Sequence, residues 1–245
     1  MSQWVYGFHA VETLLKQGAS LQRVWLPRGR LNARQQKLEA LASKAGVSIE
    51  RVARDAFERF EGVHQHVAAQ LSDASQAPHF GEADLPELIE AAESPLLVFL
   101  DGVQDPHNLG AILRTADATG VTAVIIPRHQ AVGITPVVRK VACGAAETIP
   151  VIAVNNLART MDRVKALGVW LIGLAGETDQ LLYQQDLRAP IGLVLGAEGS
   201  GLRRLTRQQC DFICALPMEG SVESLNVSVA AGVALYEALR QRKYS

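Results

Sequence analysis

Three stretches of the chain concentrate the residue types that chemistry needs, and each follows a short apolar run. DGVQDPHNLGAILRTADATG (101–120) follows LLVFL, GAEGSG (196–201) follows IGLVL, and LPMEGSVESLNVSVAAGVALYEALRQ (216–241) follows FICA. In the first, a Pro-His-Asn turn opens a helix, with Asn108 near its start and Arg114 six residues on. Arg114 offers a planar, permanently charged set of donors for an anionic oxygen. Asn108 is equally well placed as a helix cap, so its type alone does not assign it to chemistry.

The second stretch has three glycines in six residues, which lets backbone approach a ligand closely or adopt positive φ. Glu198 sits among them, either as a solvated loop carboxylate or as a site residue at a strand's carboxyl end. The dinucleotide pattern GxGxxG breaks at Arg204, which disfavours a nicotinamide dehydrogenase. In the third stretch, Ser224 and Asn226 stand at the predicted start of a long helix running to about Arg242. Both can cap it, and both can orient a phosphate or ribose at the same helix end. His107 has no nucleophile nearby in sequence, so a Ser/His/Asp hydrolase has little support. Lys140 and Glu147, around Cys143-Gly144, read as structural or interfacial.

Such loops need a scaffold that brings strand ends together. From residue 96 onward, wholly apolar strands alternate with helices of about ten residues, the signature of a parallel sheet covered on both faces. Ligands of open parallel sheets bind beyond the strands' carboxyl ends, where all three loops are predicted to lie. Ahead of them, helix (8–16), strand (21–26), helix (33–45, capped by Asn32 and stopped by Gly46), strand (47–52), short helix (55–60) and strand (67–71) form a small α/β unit. DASQAPHFGEAD (73–84) has linker composition, and 85–92 reads as a leading helix. The predicted organisation is therefore residues 1–73, a linker and leading helix over 74–93, and residues 94–245. The fold class is α/β.

Composition narrows the function further. The chain has 245 residues, 48% hydrophobic and only 5% aromatic, and a formal net charge of -1. That charge is unevenly spread: residues 1–60 hold ten Lys/Arg against five Asp/Glu, whereas 61–100 hold no Lys/Arg and seven Asp/Glu. A basic first segment is compatible with RNA contact at that end. Three cysteines, an odd number, argue against a secreted disulfide framework. The four-residue spacing of Cys210 and Cys214 could place both thiols on one helical face, but no second Cys or His pair completes a zinc site, so they read as small buried residues and no metal is expected. The N-terminus lacks a basic segment leading into an apolar run, and no stretch nears the ~18 apolar residues of a membrane span, so the expected location is the cytoplasm.

The segments DPHNLGAILRTADATG, LVLGAEGSGLRRLT and LPMEGSVESLNVSVAAGVALYEA, in this order, resemble the three motifs of the SpoU/TrmH-type RNA 2′-O-methyltransferases of the SPOUT superfamily. The N-terminal YGFHAVETLL and GVHQHVAA are similar to the substrate-binding extension of that family's bacterial 23S rRNA guanosine-2′-O-methyltransferases, with His66 where the pattern has Gly. The resemblance implies a C-terminal parallel-sheet domain with a deep trefoil knot and a small N-terminal domain of the L30e/L7Ae type that grips RNA. It implies S-adenosylmethionine bound by backbone at Gly196, Leu216 and Leu225. It also implies a homodimer paired through the C-terminal domain, each subunit completing the other's site.

The implied reaction is methyl transfer from the cofactor's sulfonium to a ribose 2′-OH of a guanosine in the peptidyl-transferase region of 23S rRNA, without a metal. The family assigns Arg114 to hydroxyl activation, Asn108 to placement of substrate and arginine, Glu198 to support, and Ser224 and Asn226 to RNA or cofactor contact. A guanidinium stays protonated, so Arg114 is expected to stabilise the developing alkoxide while the proton leaves to phosphate or water. The alternatives are a tRNA 2′-O-methyltransferase and a non-catalytic RNA-binding assembly factor.

Overall fold

The structure is a computed structural model, described over residues 4–16, 21–71 and 80–244. The chain divides into two compact units, residues 1–79 and 80–245.

In the first unit, β1 (Trp4–Tyr6), β2 (Leu21–Pro27), β3 (Ser48–Val52) and β4 (Ala68–Leu71) form one sheet in the order β1-β4-β2-β3. α1 (Phe8–Lys16) and α2 (Ala33–Lys44) pack on one face, burying Phe8, Val11, Leu15, Leu38 and Ala42 against Val24, Leu26, Val67 and Ala69. Asn32 caps α2 in a reciprocal capping box with Gln35, as its type predicts. The segment expected as a short helix over 55–60 is a single tight turn of 3-10 helix, Arg54–Phe57. Gln65 and His66 are both left-handed, at φ 53° and 54°. His66 therefore occupies, with a side chain, a conformation that glycine adopts without strain. Gln65 uses this geometry to accept from the Phe8 N–H at the start of α1, 3.0 Å.

The second unit opens with α3 (Leu85–Ala91) and is built on six parallel strands: β5 (Leu96–Asp101), β6 (Ala123–Pro127), β7 (Val151–Val154), β8 (Trp170–Leu174), β9 (Ile191–Gly196) and β10 (Phe212–Cys214). Their order is β10-β8-β9-β5-β6-β7. Alternate residues of each strand serve different cores, which is why the strands are apolar throughout. Leu96, Val98 and Leu100 pack under α4 (Pro106–Thr119), α5 (Pro136–Ala142), α6 (Ala145–Thr148) and α9 (Val227–Lys243). Leu97 and Phe99 pack on the opposite side with α3 and α7 (Leu157–Ala166), beside Cys210 at the end of α8 (Arg204–Gln209). The two thiols of Cys210 and Cys214 do not share a helical face: Cys210 ends α8 and Cys214 lies on β10. Burial, the largest cause, pushes the Cys210 thiol up to about 12, so it is an inert core group. Glu147 is also internal, paired with Arg139.

The end of the C-terminal helix is fastened by two adjacent side chains, Gln241, which accepts from the Leu187 N–H (2.9 Å) and donates to the Gln185 carbonyl (3.1 Å), and Arg242. Arg242 donates to the carbonyls of Leu187 (2.8 Å), Ser94 (2.7 Å), Ala189 (2.7 Å) and Pro95 (3.3 Å), holding the end of α9 to the entries of β5 and β9. Arg242→Ala leaves these carbonyls without that donor and should lower unfolding stability by about 2–4 kcal/mol in a denaturant titration. Arg242→Lys, a compact donor without the fork, should recover only part of that loss. An unchanged transition in the alanine variant would contradict this role.

Candidate functional site

The carboxyl ends of β5 and β9 are neighbours in register, Asp101 opposite Gly196. The loops that leave them and the segment entering α9 meet at one place. Asn108 Nδ2 donates to Glu198 Oε1 at 3.1 Å, and Asn226 Nδ2 donates to the same oxygen at 2.6 Å and to Asn108 Oδ1 at 3.0 Å. One residue from each stretch singled out in the sequence thus enters a single amide–carboxylate network. Glu198 and Asn226 are exposed, whereas Asn108 is 6% exposed and anchors the group in the protein.

The capping alternatives separate cleanly. Asn108 is not the cap of α4. Asp105 takes that position, its carboxylate accepting from the His107 N–H, and Asn108 lies inside the helix with its side chain turned to Glu198. Asn226 holds both roles, because its Oδ1 caps α9 through the Ser228 N–H (2.9 Å) and accepts from Ser228 Oγ (2.6 Å), leaving Nδ2 for the network. Ser224 is not at the helix start. It is exposed in the loop two residues before the cap, outside α9, and α9 begins at Val227.

The Glu198 loop is shaped by backbone contacts. Gly201 N–H donates to Ala197 carbonyl (3.0 Å), closing a tight loop in which Gly199 and Gly201 have positive φ. Gly196 packs directly on the Gly201–Leu202 backbone: a Cβ there would lie 2.1 Å from the Gly201 carbonyl carbon. At the loop's far end, the buried Asp101 carboxylate accepts from the Arg203 N–H at 2.8 Å. Asp101 is a positioning residue that the sequence reading missed. Its type marks only the end of the apolar run 96–100, and nothing local in the sequence ties it to Arg203.

A cavity of about 310 Å³ opens beside the network, walled by residues 102–104, Asn108, 197–198, Ser200 and Val227. Gly196 directly precedes this wall, Leu225 is exposed two residues before it, and Leu216 follows β10 and packs partly buried against the main core. Arg114 is not in the network. It is exposed on α4, with no hydrogen bond or ion pair to any described residue, and six residues of helix set it about 120° around the axis and about 9 Å along from Asn108. Among the described residues, no three His, Cys, Asp or Glu side chains gather to hold a metal, and no helix is long and apolar enough to cross a membrane.

Comparison with known proteins supplies a family for this arrangement. Residues 95–236 match the SpoU rRNA Methylase family, and residues 4–77 match the RNA 2′-O ribose methyltransferase substrate binding domain. A Pseudomonas putida protein named 23S rRNA (guanosine-2′-O-)-methyltransferase RlmB is 52% identical, the match covering 98% of this chain and 96% of the relative. Its Pseudomonas aeruginosa namesake is 54% identical over 99% of this chain and 98% of the relative. The crystal structure of the SpoU methyltransferase AviRb from Streptomyces viridochromogenes in complex with AdoMet is 25% identical, covering 100% of this chain and 91% of that one, with a TM-score of 0.78. The motif order, the parallel-sheet fold and these matches agree: the chain belongs to the SpoU rRNA methylase family.

Proposed function

We propose that the protein transfers the methyl group of S-adenosylmethionine to the ribose 2′-OH of a guanosine in 23S rRNA, in the peptidyl-transferase region. The observation that carries this reading is the convergence of Asn108, Glu198 and Asn226, one from each family motif, beside a cavity at the carboxyl ends of β5 and β9. The choice of 23S rRNA rests on relatives so named at about half identity over nearly the whole chain.

The cavity suits a nucleoside cofactor, since small residues (Gly102, Val103, Ala197, Ser200, Val227) alternate in its wall with the polar Gln104, Asn108 and Glu198, and Gly196 lets the loop that carries Glu198 pack directly on the strand end. Backbone at Gly196, Leu216 and Leu225 would hold S-adenosylmethionine, which supplies an already activated methyl group when bound. What remains for the chain is positioning and the 2′-OH proton. Glu198, accepting from two amides at once, fixes Asn108 and Asn226. Asn108 positions the ribose, and the exposed Ser224 hydroxyl contacts phosphate. Arg114 steadies the oxygen as its proton leaves to phosphate or water.

Asn108 and Arg114 diverge on α4, so one ribose meets both most directly if two copies pair through the second unit and each contributes to the other's site. The same reading includes the family's deep trefoil knot and action in the cytoplasm.

The direct test is transfer of labelled methyl to a 23S rRNA transcript, with the modified nucleotide mapped. A 2′-O-methylguanosine is the expected product. Methylation of tRNA but not 23S rRNA would replace the substrate, and absence of S-adenosylmethionine binding by an intact dimer would favour a non-catalytic assembly factor. Asn226→Asp tests the network itself. An Asp retains the acceptor that caps α9 but loses the donor to Glu198 and sets a second carboxylate beside it, so stability should hold within about 1 kcal/mol while the methylation rate falls about tenfold or more. Parallel losses of stability and rate would reduce Asn226 to a cap.

A further inference from the structure

The first unit covers one face of its sheet with α1 and α2, and on the other face it assembles five of the chain's thirteen aromatic residues. Trp4 and Tyr6 of β1 and Trp25 of β2 project from this second face, flanking Ala68 of the intervening β4. The small Ala68 side chain leaves a trough in which the two indoles meet, with ring centroids 4.3 Å apart, while Phe57 and Phe60 close the cluster from the segment after β3. Trp4, Tyr6 and Trp25 remain partly exposed. Over them lies the exposed Arg59, its guanidinium carbon 5.5 Å from the Trp4 ring, 5.7 Å from Trp25 and 5.5 Å from Phe60. Trp25 is further oriented by its indole N–H, which donates to Glu50 at 2.7 Å.

Such a surface is costly merely to close a core, because aliphatic residues fill space without polar atoms to satisfy. It combines two flat π-faces, held rigid, with a planar cation able to stack or to pair with phosphate. The charge around it is complementary to a polyanion. Residues 1–71 hold ten Lys/Arg against six Asp/Glu, net +4. Of the acids, Glu12, Glu39 and Glu50 are already engaged by cations. Arg28, Arg30, Arg34, Arg54 and Arg59 have no carboxylate partner among the described residues. Aromatic faces interleaved with arginine are the means by which proteins take unstacked nucleotides, since every base has a π-face and every nucleotide a phosphate.

Building on the rRNA reading above, we propose that this aromatic face binds single-stranded RNA, one base stacking on the Trp4–Trp25 pair with Arg59 clamping it or its phosphate. The unit would then select unpaired RNA near the target nucleotide rather than gripping duplex by charge alone.

The chain has three tryptophans, and the third, Trp170, is exposed in the other unit. In full-length Trp170→Phe protein, tryptophan emission therefore reports only the proposed site. Titration with an end-labelled single-stranded RNA oligonucleotide, followed by both anisotropy and tryptophan emission, should show binding and quenching with one midpoint. The same sequence as a duplex should not quench. Arg59→Ala should weaken single-strand binding about tenfold and raise KM for 23S rRNA, with S-adenosylmethionine affinity and thermal midpoint unchanged. Trp4→Phe, which keeps an aromatic face, should bind more tightly than Trp4→Ala. Binding without quenching, or full affinity in Arg59→Ala, would overturn the aromatic site and leave the rRNA reading standing. No binding of any RNA, together with no methyl transfer, would overturn both.

Discussion

Arg114→Lys should retain S-adenosylmethionine affinity within about twofold while its single-turnover methyl-transfer rate drops by about a hundredfold or more, the scale seen when a preorganised donor to a developing oxyanion is removed. A guanidinium stays charged and cannot take the 2′-OH proton, so the contribution proposed for Arg114 is several fixed donors presented to an oxygen that gains negative charge, and to the phosphate beside it. Lysine keeps the charge but loses the planar fork, so an effect of this size would assign the role to geometry rather than net charge.

The surroundings of Arg114 sharpen this expectation. Its side chain is exposed and has no partner among the described residues, so replacing it breaks no intramolecular bond and should barely alter folding. A rate loss would therefore not be secondary to instability. The measurement is a single-turnover time course with saturating rRNA and cofactor, paired with calorimetry of S-adenosylmethionine binding. Near-normal rates in Arg114→Lys would remove the residue from the reaction.

How much of this site was legible in the sequence depended on how far apart the interacting residues lie. The apolar strands and the loops after β5 and β9 were readable because burial on both faces and glycine-rich exits are local patterns. Helix ends were readable where the cap was local, as with Asn32 and Gln35. Asn108 was ambiguous for the complementary reason. Asp105 and Asn108 are both good caps by type, and what decides between them is Glu198, 90 residues away. Asp101 was missed because its partner, the Arg203 N–H, is 102 residues away and carries no side-chain signal. The separation of Arg114 from Asn108 was present in the spacing, since six residues do not return to one helical face, but its meaning emerged only once Asn108 was found buried and turned to the network. The Trp4–Trp25 cluster stayed hidden because the two residues join through pairing of β1 and β2 with β4, a register that no local pattern encodes.

The second large effect concerns a residue with no side chain. Gly196→Ala should abolish measurable S-adenosylmethionine binding, at least a hundredfold loss, and destabilise the second unit by about 2–4 kcal/mol. An added Cβ would lie 2.1 Å and 2.2 Å from the carbonyl carbon and oxygen of Gly201 and 2.5 Å from the Leu202 nitrogen. These are backbone atoms, so no rotamer change relieves the clash, and the loop from Ala197 to Arg203 must move as a whole. It is tied at both ends, by the Gly201–Ala197 hydrogen bond and by Asp101 on Arg203, and it carries the Glu198 oxygen on which Asn108 and Asn226 converge. Gly199→Ala is the control. Gly199 has φ +78° but nothing within 4 Å of an added Cβ, so its cost is the left-handed conformation alone, about 1–2 kcal/mol, with the strand end undisturbed. If the two variants bind cofactor equally well, the glycines serve loop flexibility. If only Gly196→Ala fails, the close packing of strand end on loop is what builds the site.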